Sequence, residues 1–271
     1  QSAYIFKHSL TREVVYDSIL TQKKKRLHDQ IGKAVEKLYK DKIDEHYGLL
    51  AEHFIASENY EKGAEYSKLA ARKAQRAGSY KEAIAQAQKR VFCLESLPPI
   101  PENQKKIIDA RTALAGYFLG LNQHVEAEEA VSSIFEIAIR MNDQRNLPGI
   151  YTALGSYYGF VTEDYPRGVE YLNEGNIVSK RTGNFFYDWL SSYFLGAVLY
   201  WYGGEFEKAL DYFQRSLDLS EKTKSLSLVA FVKGTMSCSV YIFRGKVDRA
   251  YKTSKESVLS ANESGDRHTL G

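Results

Sequence analysis

The side chains that could do chemistry are few, and their spacing suits it poorly. His46 and His53 stand seven residues apart, beside Glu45 and Glu52. A zinc pair on a helix uses a spacing of three or four, as in His-Glu-x-x-His. The two are therefore expected to be half-buried structural histidines. His8, His28, His124 and His268 are scattered and suggest nothing further. Ser237-Cys238-Ser239 places three nucleophilic atoms in a row, but inside a helical pattern in which Cys238 matches Ala197. Inert packing is the expected role. Lys23 to Arg26 is a run of four cations. It reads as a solvated helix end, since a helix C-terminus favours positive charge, rather than as a phosphate or nucleic-acid patch. A glycine-rich loop ending in Gly-Lys-Ser/Thr is absent from the sequence, as is a recognisable metal-binding carboxylate pair. No catalytic site, cofactor or metal is expected.

The elements that hold these residues follow from composition and period. The chain has 271 residues, 44% hydrophobic, 26% charged and 13% aromatic. That is too apolar for a disordered chain and too charged for a membrane protein. Lys plus Arg is 37 against 34 for Asp plus Glu, a net charge of +3, which gives no reason to expect a nucleic-acid partner. Two distant cysteines, Cys93 and Cys238, make neither a disulfide framework nor a zinc site and suit a reduced, cytoplasmic protein. A long uncharged run, Trp189 to Gly204, has 16 residues between Asp188 and Glu205. A membrane span needs about 20, so a buried core helix is expected. The first ten residues carry no signal peptide pattern. The chain opens on Gln1 and closes soon after Glu263-Ser-Gly-Asp266, so a fragment of a longer protein is expected.

Four segments repeat: Val125-Glu-Ala127, Tyr165-Pro-Arg-Gly168, Phe206-Glu-Lys-Ala209 and Val247-Asp-Arg-Ala250. Their final small residues are spaced 168−127, 209−168 and 250−209, each 41. Sixteen residues on come Asp143, Asn184, Ser225 and Asp266, all suited to capping a helix. Twenty-eight on come Gly155, Gly196 and Ser237, small enough for two helices to press together. Within a unit, Leu190, Phe194, Ala197, Val198 and Trp201 recur at helical spacing, as do Phe206, Leu210, Phe213 and Leu217. Each unit is thus two helices, broken at Gly203-Gly204 or Gly245. Upstream, Tyr60-Glu-Lys-Gly63-Ala64 and Tyr80-Lys-Glu-Ala83 stand only 20 apart, so the helix between them is expected to serve two neighbouring pairs. Leu97-Pro-Pro-Ile-Pro101 reads as a loop within one stack, with a domain boundary as the alternative.

Ala197, Tyr200, Gly204, Phe206, Ala209 and Phe213 resemble the tetratricopeptide pattern, whose unit of 34 residues is here lengthened by about seven. The resemblance implies an all-α fold, a right-handed superhelical solenoid of helix-turn-helix repeats with a period of about 41. The first 95 residues resemble more closely a segment that joins an ATPase module to a tetratricopeptide tail in bacterial signalling proteins. The matching residues are Phe6, His8, Leu10, Arg12, Glu13, Tyr16, Leu20, Arg26, Leu27 and His28, then Glu45-His-Tyr, Ala51-Glu-His-Phe54 and Asn59-Tyr60. In such proteins an adenylate or guanylate cyclase-like domain often comes first, followed by an AAA-like ATPase. Residues 1–42 then form a helical adaptor after a missing ATPase, and residues 43–271 the solenoid, its last repeat truncated.

Ten aromatics lie between Phe185 and Phe206. Carried over by resemblance, the concave groove positions are Tyr157, Phe160, Phe194, Val198, Trp201, Tyr202, Ser239 and Phe243. Core packing is the competing role for most of these aromatics. The expected function is a non-catalytic regulatory module whose groove binds a peptide or protein, or the ATPase or cyclase domains of its own chain. The alternative is a solenoid that senses a small-molecule effector. A homodimer is a further expectation, because a truncated stack presents an apolar end.

Overall fold

A computed structural model describes residues 16–201 and 203–264, with side chains except at Tyr200 and Trp201. These residues form helices joined by short loops, with no strand among them. In order they are α1 (Thr21–Leu38), a 3-10 segment (Lys40–His46), α2 (Tyr47–Ala56), α3 (Tyr60–Arg76), α4 (Tyr80–Glu95), α5 (Pro101–Leu119) and α6 (His124–Arg140). Then follow α7 (Leu147–Phe160), α8 (Tyr165–Thr182), α9 (Phe185–Trp201), α10 (Phe206–Lys222), α11 (Leu226–Thr235), a π-helical turn (Met236–Tyr241) and α12 (Val247–Ser264). Two compact units, Gln1–Ala110 and Arg111–Gly271, divide the chain inside α5, beyond the proline-rich segment.

The 41-residue period governs the backbone of the second unit. Left-handed residues end the helices at Asn122, Glu163, Gly204 and Gly245, and again at Asn142, Gly183 and Lys224. Both series step by 41. Only Gly183, Gly204 and Gly245 meet this conformation without a Cβ penalty; the other four hold it as ordinary residues. The capping column is observed too, with Asp143 accepting from Asn146 N (3.2 Å) and Asn184 from Tyr187 N (3.3 Å).

Close helix contacts recur at the same register. A Cβ on Gly155 would lie 3.0 Å from the Gly168 carbonyl oxygen, and one on Gly196 3.1 Å from that of Ala209. In the third repeat Ser237 Oγ donates to the matching Ala250 carbonyl at 2.7 Å. A second series joins the same two helices of each pair further along their length. Gly175 approaches the Pro148 carbonyl, Ser216 Oγ donates to Trp189 O (3.1 Å), and Ser257 Oγ donates to Ala230 O (2.7 Å). Where the column is not glycine, a serine hydroxyl fills the space and bonds the backbone behind it. Small residues therefore set the distance between helices, which is the packing role the sequence assigned to them.

In the first unit α1 lies on α2, and α3 packs on both α2 and α4. The helix between the two closely spaced motifs is thus shared by two neighbours. The core is Val35, Leu50 and Phe54, with Ile43 and Tyr66 against it. Gly32 lets α1 sit on the Phe54 ring, since a Cβ there would come within 2.9 Å of it. Glu36 closes the edge, accepting from Lys62 Nζ (2.7 Å) and Tyr66 OH (2.6 Å). Burial works to raise the Glu36 pKa, but these two donors prevail and hold it below the usual carboxylate value.

Lys23 to Arg26 occupy the first turns of α1, which corrects the expectation of a helix C-terminus. At the N-terminal end the helix dipole opposes cations. Lys24 finds Asp17 and the Tyr16 ring, and Lys25 finds Glu58.

Candidate functional site

The predicted groove residues separate into two groups in the second unit. Phe194 is 3% exposed and Val198 is fully buried, so both are core. This corrects the groove assignment at these positions. Phe194 is enclosed by the rings of His124 (5.6 Å between centroids), Phe160 (5.5 Å) and Tyr193 (5.8 Å). Val198 packs into the gap left by Gly159. Every residue of α9 from Asp188 to Leu199 is buried. A helix apolar on all sides is covered on all sides, and the uncharged run is the core helix it was expected to be.

The buried side chains of Asn176, Asp188 and Trp189 are hydrogen-bonded. Asp188 receives Arg215 Nε on one oxygen (3.1 Å) and Nη2 on the other (2.6 Å), while Asn176 Nδ2 adds a third bond at 2.9 Å. Trp189 Nε1 donates to Ser220 Oγ at 2.9 Å. These bonds join α8, α9 and α10, so they lock the stack. His124 Nδ1 has no hydrogen-bond partner among the described residues, and burial lowers the pKa of its ring below the ordinary histidine value.

Tyr157, Phe160 and Ser239 are half-buried, and Phe243 is 75% exposed. The Trp201 side chain and Tyr202 lie outside the described residues. Phe160 and Ile242 share one repeat column, since 242−160 is twice 41, and Val161 and Phe243 share the next. Val161 is 42% and Ile242 52% exposed. Apolar side chains with exposed surface thus stand at the ends of the first helices of two pairs, two repeats apart. Val161 and Ile242 are absent from the groove positions carried over by resemblance, although the 41-residue columns of Phe243 and Phe160 contain them. The helix feeding Phe243 ends in the π turn, a feature frequent at functional sites. That turn carries Cys238 outward, where it is an exposed free thiol. The expectation of a packed Cys238 is corrected: the matching Ala197 is buried, but Cys238 lies within the π turn and is exposed. Cys93 is buried, and burial pushes its thiol up to about 11.

His46 and His53 do not meet. His46 stacks on Tyr39 at 4.0 Å, whereas His53 Nδ1 lies 2.8 Å from His28 Nδ1, whose Nε2 is 2.9 Å from Tyr16 OH. The His28–His53 pair spans α1 and α2, a long-range contact without a sequence signal. Among the described residues no cluster of three or more His, Cys, Asp or Glu is disposed to hold a metal ion. Among them, also, no helix is long and apolar enough to cross a membrane.

No family model and no curated protein matches the chain. Solved structures do resemble it. A Rap protein complexed with competence and sporulation factor superposes with a TM-score of 0.65 at 13% identity, over 92% of this chain and 78% of that one. The Rap conjugation gene regulator of plasmid pLS20, in complex with the Phr* peptide, gives 0.55 at 17%, over 81% and 57%. A signal transduction ATPase with numerous domains and a tetratricopeptide repeat sensor, from Pyrococcus horikoshii, gives 0.53 at 17%, over 94% and 42%. Likeness at these identities concerns the fold, which is an all-helical, tetratricopeptide-like repeat.

Proposed function

We propose that this chain is a non-catalytic interaction and regulatory module. Its apolar rim of Phe160, Val161, Ile242 and Phe243 takes a peptide or protein segment, with Tyr157 and Ser239 alongside. The observation carrying this reading is the exposure of Ile242 and Phe243 in the columns of Phe160 and Val161, since exposed apolar side chains in a row are suited to anchoring a partner. Two similar folds are bound to a named factor or peptide, and a third belongs to an ATPase with a repeat sensor. Those features support a role in which residues 1–42 act as an adaptor, carrying the state of the repeat to an ATPase or cyclase-like domain of the same chain. A small effector held within the stack is the weaker reading, because the interior of α9 is filled by the chain's own side chains.

Cys238 offers the test. An environment-sensitive dye will label it selectively over buried Cys93 and will report on the neighbouring rim. Peptides selected by display on the immobilised protein are expected to change the dye signal, and Phe243→Asp or Ile242→Asp to abolish it. Peptides that bind both variants as tightly as the parent would defeat the rim assignment. Thermal stabilisation by sugars or nucleotides, with no peptide bound, would favour the effector reading instead.

A further inference from the structure

Helix α1 has two apolar faces, and the α1–α2 contact uses only one. Gly32 and Val35 are buried, with His28 half-buried beside them. At about 100° per residue, Leu27, Ile31, Ala34 and Leu38 form a separate stripe, in line with Leu20 just before the helix. Leu20 is 78%, Leu27 38%, Ile31 43% and Leu38 76% exposed. One side of the stripe borders the contact with α2. The other side carries Lys23, Arg26 and Lys37, all exposed and without an ion pair to any described residue. The carboxylates of this helix are taken: Asp29 pairs with Lys33 and Glu36 with Lys62. A cleft of about 710 Å³ lies at the N-terminal end of the stripe, lined by Leu20, Lys23, Arg26 and Leu27 among others. A cation in the first turn of a helix works against its dipole, so Lys23 stands where local stability disfavours it. A local conflict of this kind is expected where a surface serves another purpose.

We infer that the outer face of α1 docks an acidic amphipathic helix of a protein partner, its apolar side on the Leu27–Ile31–Leu38 stripe and its carboxylates along Lys23, Arg26 and Lys37. A second copy of the chain would bring the same cations against themselves. Residues 1–15 carry Lys7 and Arg12 against Glu13, so they supply no acidic excess. The surface lies in the first unit and is independent of the rim proposed above in the second.

The probe is a synthetic helical peptide of 18 residues, the length of α1, with leucines on one face and glutamates beside them. A control peptide has lysine at each glutamate, and vesicles containing phosphatidylserine form a third arm. Fluorescence anisotropy with the whole chain is expected to show binding of the glutamate peptide only, weakening as salt rises. The triple charge reversal Lys23→Glu, Arg26→Glu, Lys37→Glu should weaken it by about tenfold or more, and so should Ile31→Asp, with circular dichroism unchanged. Phe243→Asp should leave it intact. Equal binding of the lysine peptide, no binding of either, or indifference to the triple reversal overturns the inference. Sedimentation with the vesicles in place of peptide binding overturns it in favour of a membrane surface. Self-association abolished by Ile31→Asp overturns it in favour of a second copy.

Discussion

Helices α9 and α1 are both rich in large apolar side chains, yet only one is consumed by the fold. In α9 every residue from Asp188 to Leu199 is buried, because its own pair partner α10 and the flanking helices α8, α7 and α11 lie around it. In α1 the face on α2 is buried, while Leu20 and Leu38 remain more than three-quarters exposed. The aromatic density of α9 drew attention as a binding surface and is mainly core. The cationic helix, with its less conspicuous leucines, retains the free apolar face. In a stack of helices, then, burial follows the number of neighbours more closely than it follows side-chain hydrophobicity.

The largest expected effect lies in the fully enclosed region. Phe213 is fully buried beneath α9, against Gly196 and Tyr193. Phe213→Ala should cost about 3–5 kcal/mol, read as a lowered midpoint in urea unfolding. A loss below about 1 kcal/mol would show the stack repacking around the cavity, and would erase the contrast with α1.

Asp188→Ala comes next. It strips the carboxylate from Arg215 and Asn176. A fully buried pair broken this way costs about 3–5 kcal/mol, but the Arg215 side chain is 38% exposed and rehydrates. About 2 kcal/mol is expected in the same experiment. Arg215→Met should be the milder partner change only if Asn176 still satisfies Asp188.

Acid should act on both regions. Burial, then the neighbouring charge of His28, lowers the His53 pKa, with Glu52 opposing; burial lowers that of His124, with Glu126 opposing. A depressed histidine favours the neutral folded form. Its contribution is therefore full above the ordinary value of 6.5 and is lost as pH falls through the lower folded value. Hydrogen exchange should show α1–α2 protection falling as pH drops from 6.5 toward that lower value and levelling off beneath it, and His53→Gln should flatten the response there alone. His124→Phe should flatten it only in the second unit.

The smallest effect belongs to the outer stripe. Leu38→Ser should change stability by no more than about 0.5 kcal/mol, since its side chain leaves water little on folding. A larger thermal shift would mean that the stripe is already covered, and would remove the distinction between the two helices.

Much of the architecture was legible before any coordinates. The 41-residue period placed the helix pairs, the caps at Asp143 and Asn184, and the close contacts at Gly155, Gly196 and Ser237. These are local or periodic demands, each written into one residue type at a fixed interval. The site was less legible. Of the expected groove residues, Phe243 is exposed and Phe160 half-buried, but Phe194 and Val198 are core. Their exposure depends on whether His124, Phe160 and Gly159 close over them, and those residues come from other helices. Cys238 matches the buried Ala197 by period, yet it is exposed where the helix passes into a π turn, a change of helix type that the period does not announce.

What the sequence determined by itself is the repeat and the helical character of its units, since both follow from spacing along the chain. What only the tertiary structure decided is which apolar faces stay in water and which distant side chains meet. The His28–His53 pair and the free face of α1 are of this second kind. Each depends on the neighbour that one helix finds, and helical periodicity describes a face without saying what lies across from it.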